Sequence, residues 1–278
     1  MDSLIGAINL ITDGLKPCFV SQEAKGDVEK QIAFSNQLAP FQQHFRWKNP
    51  ISLNGRNESS TRGRSIIFLG YALLAANTLS KWKTSTVDIF VPENGLISLN
   101  VALNSGRLGS LSTKTTHPVF LGLIQKIWNN LGINAKIVTP YQYKTKGEML
   151  KECKNQDLVK SLVCNTTSCG KYLTHGRTHC GRCVPCMVRR AAFKKAGIED
   201  STIYKYGDLN NNKFSKTQGP NDVNAVASAY VTYQNKGIER IIGGSLSFSN
   251  MDTRPKYVEV VEKGLTELGK LLREHEVL

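Results

Sequence analysis

The first 160 residues of this chain predict an α/β fold, a parallel sheet with crossover helices, followed by a metal-binding segment and a helical tail. Three observations carry that expectation. Short β-rich runs alternate with longer helical ones up to about residue 160, the pattern of strands joined by crossover helices. Cys169, Cys180, Cys183 and Cys186 then crowd four thiols into one short stretch. Beyond residue 222 two long stretches keep helical periodicity. We therefore expect three units: an α/β domain over 1–160, a metal-binding segment over 161–200 packed on it, and a mainly helical extension over 201–278. With 278 residues and 40% hydrophobic content the chain is long enough to bury a substantial core.

Taken in order, a helix is predicted over Ser3–Ile11, with Asp2-Ser3 as an ordinary N-cap. A strand follows at Cys18–Ser21, a helix at Asp27–Phe41 and a strand at Phe45–Lys48. The most apolar stretch, Ser65–Leu79, lies in a helix predicted over Arg64–Leu79. It is shorter than the roughly 20 residues a membrane span needs, so it reads as a buried core helix. Val87–Val91 is the next strand. In the helix Pro118–Leu131 the residues Phe120, Leu121, Ile124, Ile127, Trp128 and Leu131 keep helical spacing, a stripe expected to face the core, and Pro118 occupies a favoured first-turn position. Strand Ala135–Val138 and helix Lys146–Cys153 complete the α/β unit. Helix Val188–Ala196 follows the cysteines. The polar run 207–222 marks a loop or boundary, and Val223–Gln234 and Tyr257–Leu272 are the tail helices, the last with Val258, Val261, Leu265, Leu268 and Leu272 on one face.

The cysteines read as a closed metal site. Gly181-Arg182 and Val184-Pro185 make two C-x-x-C turns that bring consecutive thiolates onto one ion, and four sulfurs suit tetrahedral zinc, with an iron–sulfur cluster as the alternative. A face of small apolar cysteines on a helix fits less well, because Gly181 and Pro185 both oppose a helix there. Four thiolates leave no open coordination position, so the metal is structural and names no reaction by itself. Seven cysteines with no signal-like N-terminal run point to a reducing, cytoplasmic setting.

The net charge of +14 favours anionic partners: nucleotides, nucleic acid or acidic proteins. Arg182, Arg189, Arg190, Lys194 and Lys195 form a local basic concentration, whose commoner meaning is a solvated face. Ser110, Ser112, Thr113, Lys114, Thr115 and Thr116 put many donors just before a helix, either a phosphate or carboxylate site or a hydroxyl-rich capping loop. His117 reads as a turn residue before proline rather than a general base.

Several motifs resemble one family. Met1-Asp2-Ser3 resembles the last three residues of the S-G-G-x-D-S loop of the PP-loop ATP pyrophosphatases. Thr167-Ser168-Cys169 with His179-Cys180-Gly181-Arg182-Cys183-x-x-Cys186-x-x-Arg189-Arg190-Ala191-Ala192-Phe193 is similar to the zinc segment of QueC, the 7-cyano-7-deazaguanine synthase family. Thr61-Arg62-Gly63-Arg64-Ser65 resembles its arginine-bearing helix start, and Lys144-Thr145-Lys146-Gly147-Glu148 its lysine-glutamate segment. The resemblance covers roughly residues 1 to 200. It implies an adenine nucleotide alpha hydrolase-like, Rossmann-like fold and ATP-dependent adenylation of a carboxylate, 7-carboxy-7-deazaguanine or a relative, for attack by ammonia or an amine.

In that comparison Asp2, Ser3, Arg62, Lys114 and Thr115 would bind ATP, Lys146 and Arg64 would act in catalysis, and Mg2+ would accompany ATP, with Glu148 a weaker candidate to hold it. The Ser-Gly-Gly of the loop and the strand before it have no counterpart here, so we expect the first strand to be missing. Lost glycine amides would each forfeit a hydrogen bond to charge worth about 1.5–3 kcal/mol, and residues 1–278 alone are expected to bind ATP poorly. The region 92–118 departs from QueC and resembles the QueC-like proteins of bacterial anti-phage (Qat) systems, which implies a partner protein from a defence operon. The rival reading is a non-catalytic, zinc-stabilised module that binds nucleic acid or protein. A tRNA-thiolating PP-loop enzyme is disfavoured, because metal-bound thiolates are not free nucleophiles.

Overall fold

The structure, a computed structural model, describes residues 1–23, 27–38, 43–48, 63–103, 114–210 and 222–278. Helix α1 (Asp2–Thr12) leads into strand β1 (Phe19–Gln22), and α2 (Val28–Leu38) carries the chain to β2 (His44–Trp47). Strands β1 and β2 are parallel, with Phe19 opposite His44 and Gln22 opposite Trp47. Helix α3 (Arg64–Asn77) precedes β3 (Val87–Phe90), and α5 (Pro118–Asn130) crosses from there to β4 (Ala135–Val138), parallel to β3 with Val87 opposite Ala135. The short helix α4 (Gly95–Leu99) sits just after β3. Parallel pairing across helical connections agrees with the expected α/β class.

Among the described residues the pairing forms two separate two-stranded sheets rather than one. Backbone groups of a parallel strand point alternately to its two sides. Phe19 and Glu23 donate to β2 and its flank, and Val87 and Val91 to β4 and its flank. The N–H and C=O groups of Val20 and Gln22, and those of Asp88 and Phe90, therefore lie on the opposite edges. A cavity lined by Val20 on one side and Ile89 and Phe90 on the other lies between β1 and β3, so no ladder joins the two pairs.

Helices α6 (Lys146–Lys151) and α7 (Gln156–Leu162) pack with α1 and with α8 (Val184–Ala196) around Leu4, Ile5, Ile8, Met149, Leu150, Val159 and Phe193. The tail comprises α9 (Val223–Lys236), the short α10 (Glu239–Ile242) and α11 (Arg254–Glu274). Helix α11 buries Val260, Val261, Leu265, Leu268 and Leu272 against α4, α8 and α9. Its apolar stripe is the one the periodicity predicts, except that Val258 is only half-buried.

Four local expectations change. Helix α8 begins at Val184, not Val188, because Pro185 sits in the first turn, where its missing N–H costs nothing. Helix α3 is not a buried core helix: Leu69, Ala75 and Ala76 are buried, while Ile66 and Leu74 are exposed. On α5 the core face is Leu121 and Trp128 with Phe120 and Ile124 half-buried, whereas Ile127 and Leu131 face solvent. The basic run is a solvated face only in part: Lys194 and Lys195 are exposed and Arg190 is half-buried, while Arg182 and Arg189 are both buried. Arg189 is held by the carbonyls of Val163, Cys164 and Thr166 and the hydroxyls of Thr166 and Thr202, so it fastens the segment before the cysteines to α8. Residues 211–221 of the polar boundary lie outside the described residues.

Candidate functional site

Two adjoining clefts open where α1 begins and β1 and β3 end, the place where open α/β sheets hold ligands. The larger, about 520 Å³, is lined by Asp2, Ser3, Arg64, Phe90, Glu93 and Thr115 among others. The smaller, about 340 Å³, shares Ser3, Val20, Arg64 and Phe68 with it and runs past Ser21 and Gln22 to Lys30, His44, Thr166 and Thr167. Close approach of α1 to the end of β3 depends on Gly6, where a Cβ would lie 2.6 Å from Cβ of Pro92. That contact sets the start of α1, with its unpaired N–H groups, beside Glu93 and Asn94.

Asp2 is the hub of the larger cleft. Its Oδ1 lies 2.6 Å from Nζ of Lys146, and both side chains are only 9% exposed. Its Oδ2 accepts from Nδ2 of Asn94 at 2.7 Å and from the Asn94 backbone N–H at 3.3 Å. Burial alone would raise the Asp2 carboxyl, but the Lys146 ammonium overrides it and holds the group well below the usual carboxylate range. Asn94 also caps α4, accepting from the Ile97 N–H, and reaches Oε1 of Glu93 at 3.3 Å. Burial, and then the charge of Asp2, push the Glu93 carboxyl well above its ordinary value. Glu93 escaped the reading of the sequence. Its place directly after β3, at the carboxyl end of a parallel strand, was the available signal.

Ser3, Arg64 and Thr115 line the larger cleft together, and Ser3 and Arg64 also line the smaller one. The Arg64 guanidinium lies over the Phe68 ring, 5.1 Å from its centroid. Lys114 is half-buried beside His117, which is N-cap of α5 and accepts from the Val119 N–H through Nδ1. Burial, with Lys114 nearby, pushes His117 down to about 4, so its ring is neutral near pH 7. Lys146 points into the buried pair with Asp2 and does not line either cleft. Glu148 closes a capping box with Thr145 and pairs with Lys263 at 2.7 Å, which accounts for its position in the first turn of α6. Arg62, Ser110, Ser112 and Thr113 lie outside the described residues.

The metal site is built as the spacing predicts. Cys169, Cys180, Cys183 and Cys186 are all buried, and their sulfurs lie within 4.8 Å of one another. Cys169 and Cys183 sulfurs are 4.0 Å apart, Cys180 and Cys186 sulfurs 3.8 Å. Metal–sulfur bonds of about 2.3 Å in a tetrahedron place sulfurs about 3.8 Å apart, so the four thiols fit zinc. Backbone N–H groups of Lys171 and Cys180 point at the Cys169 sulfur, and that of Cys183 at the Cys180 sulfur. The first turn needs Gly181, whose φ is +86° and where a Cβ would lie 2.3 Å from the Tyr206 carbonyl oxygen.

This segment also forms one wall of the smaller cleft. His179 accepts from the Ser168 N–H through Nε2. Lys30 of α2 reaches across to the Tyr172 hydroxyl at 2.8 Å and to Thr167 Oγ1 at 3.3 Å. A metal held by the cysteines therefore steadies Thr166 and Thr167 at the cleft edge.

Residues 116–197 match the family model described as Queuosine biosynthesis protein QueC. Over 75 residues the chain is 39% identical to a 7-cyano-7-deazaguanine synthase of Paracoccus denitrificans, covering 27% of this chain and 30% of that one. It is 32% identical over 95 residues to the enzyme of that name from Brucella anthropi, covering 33% and 38%. It is 40% identical over 83 residues to 7-cyano-7-deazaguanine synthase 1 of Sulfurisphaera tokodaii, covering 29% and 38%. The chain thus spans between 30% and 38% of the length of these curated relatives. No solved structure matches it. The family match takes in Thr116, Lys146 and the four cysteines and leaves Asp2, Arg64 and Glu93 outside it. Among the described residues no helix is long and apolar enough to cross a membrane.

Proposed function

We propose that this chain carries a QueC-like, ATP-dependent ligase activity in which a carboxylate, that of 7-carboxy-7-deazaguanine or a related molecule, is adenylated and then captured by ammonia or an amine. The observation that carries the reading is convergence: Ser3 at the start of α1, Arg64 at the start of α3, and Glu93 and Thr115 between β3 and α5 face one pair of clefts. The QueC-like segment adjoins those clefts through Thr116 and Thr166.

A substrate carboxylate oxygen bonds to the α-phosphorus of ATP while the bond to pyrophosphate breaks. The amine then bonds to the acyl carbon and AMP leaves. In this assignment the free N–H groups at the start of α1 and the Ser3 hydroxyl hold the pyrophosphate, Arg64 neutralises phosphate charge, and Thr115 with Lys114 orients the anionic end of the substrate. Arg62 belongs to the same phosphate-binding set by its place in the sequence. Lys146 acts through Asp2, which it keeps ionised and aimed at the cleft. Asp2 and Glu93 are the pair that would hold Mg2+, since a cation would offset the burial and the Asp2 charge that raise the Glu93 carboxyl. When bound, Mg2+ supplies charge neutralisation at the phosphate oxygens. The altered 92–118 region supports an amine acceptor on a partner protein in an anti-phage setting.

Calorimetric titration of the protein with ATP and Mg2+, with quantification of AMP formed when 7-carboxy-7-deazaguanine and ammonium are added, tests the proposal. Arg64→Met is expected to weaken ATP binding about tenfold or more, the loss of a hydrogen bond to charge. Unchanged ATP affinity in that variant refutes the assignment of the clefts. Salt-sensitive binding of nucleic acid that ignores ATP favours the non-catalytic module instead.

A further inference from the structure

Asn94 is completely buried, and both polar atoms of its side chain are engaged. Its Oδ1 accepts from the Ile97 N–H at 3.1 Å and so caps α4. Its Nδ2 carries two hydrogens and donates to two carboxylates, to Asp2 Oδ2 at 2.7 Å and to Glu93 Oε1 at 3.3 Å. The cap fixes which way the amide faces: turned over, it would set its oxygen against both carboxylates and its NH2 against the Ile97 N–H. The backbone beneath it is held as firmly. The Gly95 N–H donates to the Lys144 carbonyl at 2.9 Å, and a Cβ at Gly95 would lie 2.2 Å from the Gln142 carbonyl oxygen. Leu96 lies against Gly264 of α11, where a Cβ would come within 2.5 Å of the leucine side chain.

We propose that Asn94 is a positioning residue for the divalent cation of the ligase reaction, its single amide nitrogen holding the Asp2 and Glu93 carboxylates together so that they share one ion. The inference rests on the assignment of those two carboxylates to Mg2+ made above. One acid comes from α1 and the other from the end of β3, and like charges drive such a pair apart unless a third group joins them. Lys146 serves the Asp2 side.

The chemistry of the joining group matters. An ammonium bridging both acids would neutralise them and take the cation's place. An amide donates two hydrogen bonds without bringing charge, so the pair keeps its demand for a cation. Each ionised carboxylate accepts about four hydrogen bonds. Asp2 meets Lys146 and the side-chain and backbone N–H groups of Asn94, and Glu93 meets the Asn94 amide, which leaves lone pairs on both acids for an ion. Hydrogen-bonding partners of this kind, one step out from the metal, typically govern its affinity by about 10–100-fold.

Binding of Mn2+, which shares the oxygen ligands of Mg2+, is the test, read on the full chain from loss of the free-ion electron paramagnetic resonance signal. Asn94→Ala removes both the cap and the amide. Asn94→Ser restores the cap through its hydroxyl oxygen, but its one hydrogen cannot serve two carboxylates. The serine variant is therefore expected to unfold at a higher urea concentration than the alanine variant and yet to bind Mn2+ about tenfold more weakly than the wild type. Asn94→Thr, also a good cap, gives the same reading where serine fails to fold. Glu93→Gln is expected to lose Mn2+ as well. If it does, and the serine and threonine variants bind Mn2+ as the wild type does, Asn94 is a cap alone and the inference is overturned while the assignment of the carboxylates stands. A wild type that binds no Mn2+, or unchanged affinity in Glu93→Gln, overturns that assignment and this inference with it.

Discussion

Replacing Lys146 by Met removes one partner of the buried pair that holds the start of α1. The Lys146 and Asp2 charges are 2.6 Å apart with 9% of each side chain exposed, so water does little to screen the charge left behind. Breaking such a pair from one side costs about 3–5 kcal/mol. Asp2 keeps its two hydrogen bonds from Asn94, which favours the lower end, about 3 kcal/mol. With a urea slope of about 3 kcal/mol/M the unfolding midpoint falls by about 1 M.

The double variant D2N/K146M removes both charges and is expected to recover a large part of that loss. The pH dependence has a fixed sign. The folded Asp2 carboxyl lies below its unfolded value, so its contribution is present above about pH 4 and lost as pH falls towards the folded value. In K146M this acid-side loss shrinks. Urea titrations at pH 7 and pH 3 measure both effects. A midpoint shift under about 0.3 M, or a double variant no better than K146M, refutes the view that Lys146 stabilises ionised Asp2.

Metal analysis is expected to find about one zinc per chain, with Cys186→Ser losing both the metal and the thermal stability of the segment; iron in its place points to a cluster. Burial pushes the Glu267 carboxyl up to about 7, against a hydrogen bond from Thr145 that lowers it. Its folded value lies above the unfolded one, so stability is full near pH 4 and falls by up to about 3 kcal/mol as pH rises through 7. Glu267→Gln should flatten that fall in melting temperature between pH 5 and pH 8, and an unchanged slope tells against a buried, largely neutral carboxyl. Gly6→Ala puts a Cβ 2.6 Å from that of Pro92 and is expected to cost about 1–3 kcal/mol by overpacking. It should also weaken ATP binding, because α1 must move away from Glu93 and Asn94. Urea midpoints together with calorimetric affinity decide the case.

The sequence by itself determined what depends on neighbours along the chain. Alternating β-rich and helical runs located each of the four described strands to within a residue or so, Ala135–Val138 without any shift. The two C-x-x-C turns determined the metal site because ligand spacing within a turn already brings sulfurs together. Helix α7 and the start of α8 were less legible, since a short helix has too few turns to display a period and Pro185 reads as a breaker until its place in the first turn is known. Only the tertiary structure decided which faces are covered. Arg182 and Arg189, part of a basic run on paper, are interior because carbonyls of residues far along the chain surround them. Ile127 and Leu131, written as core, are exposed because none of the described residues packs over that face of α5. The union of Asp2, Glu93 and Lys146 rests on three segments brought together by packing. A carboxylate's partner, and with it its charge, is set by that packing and is written in no local pattern of residues.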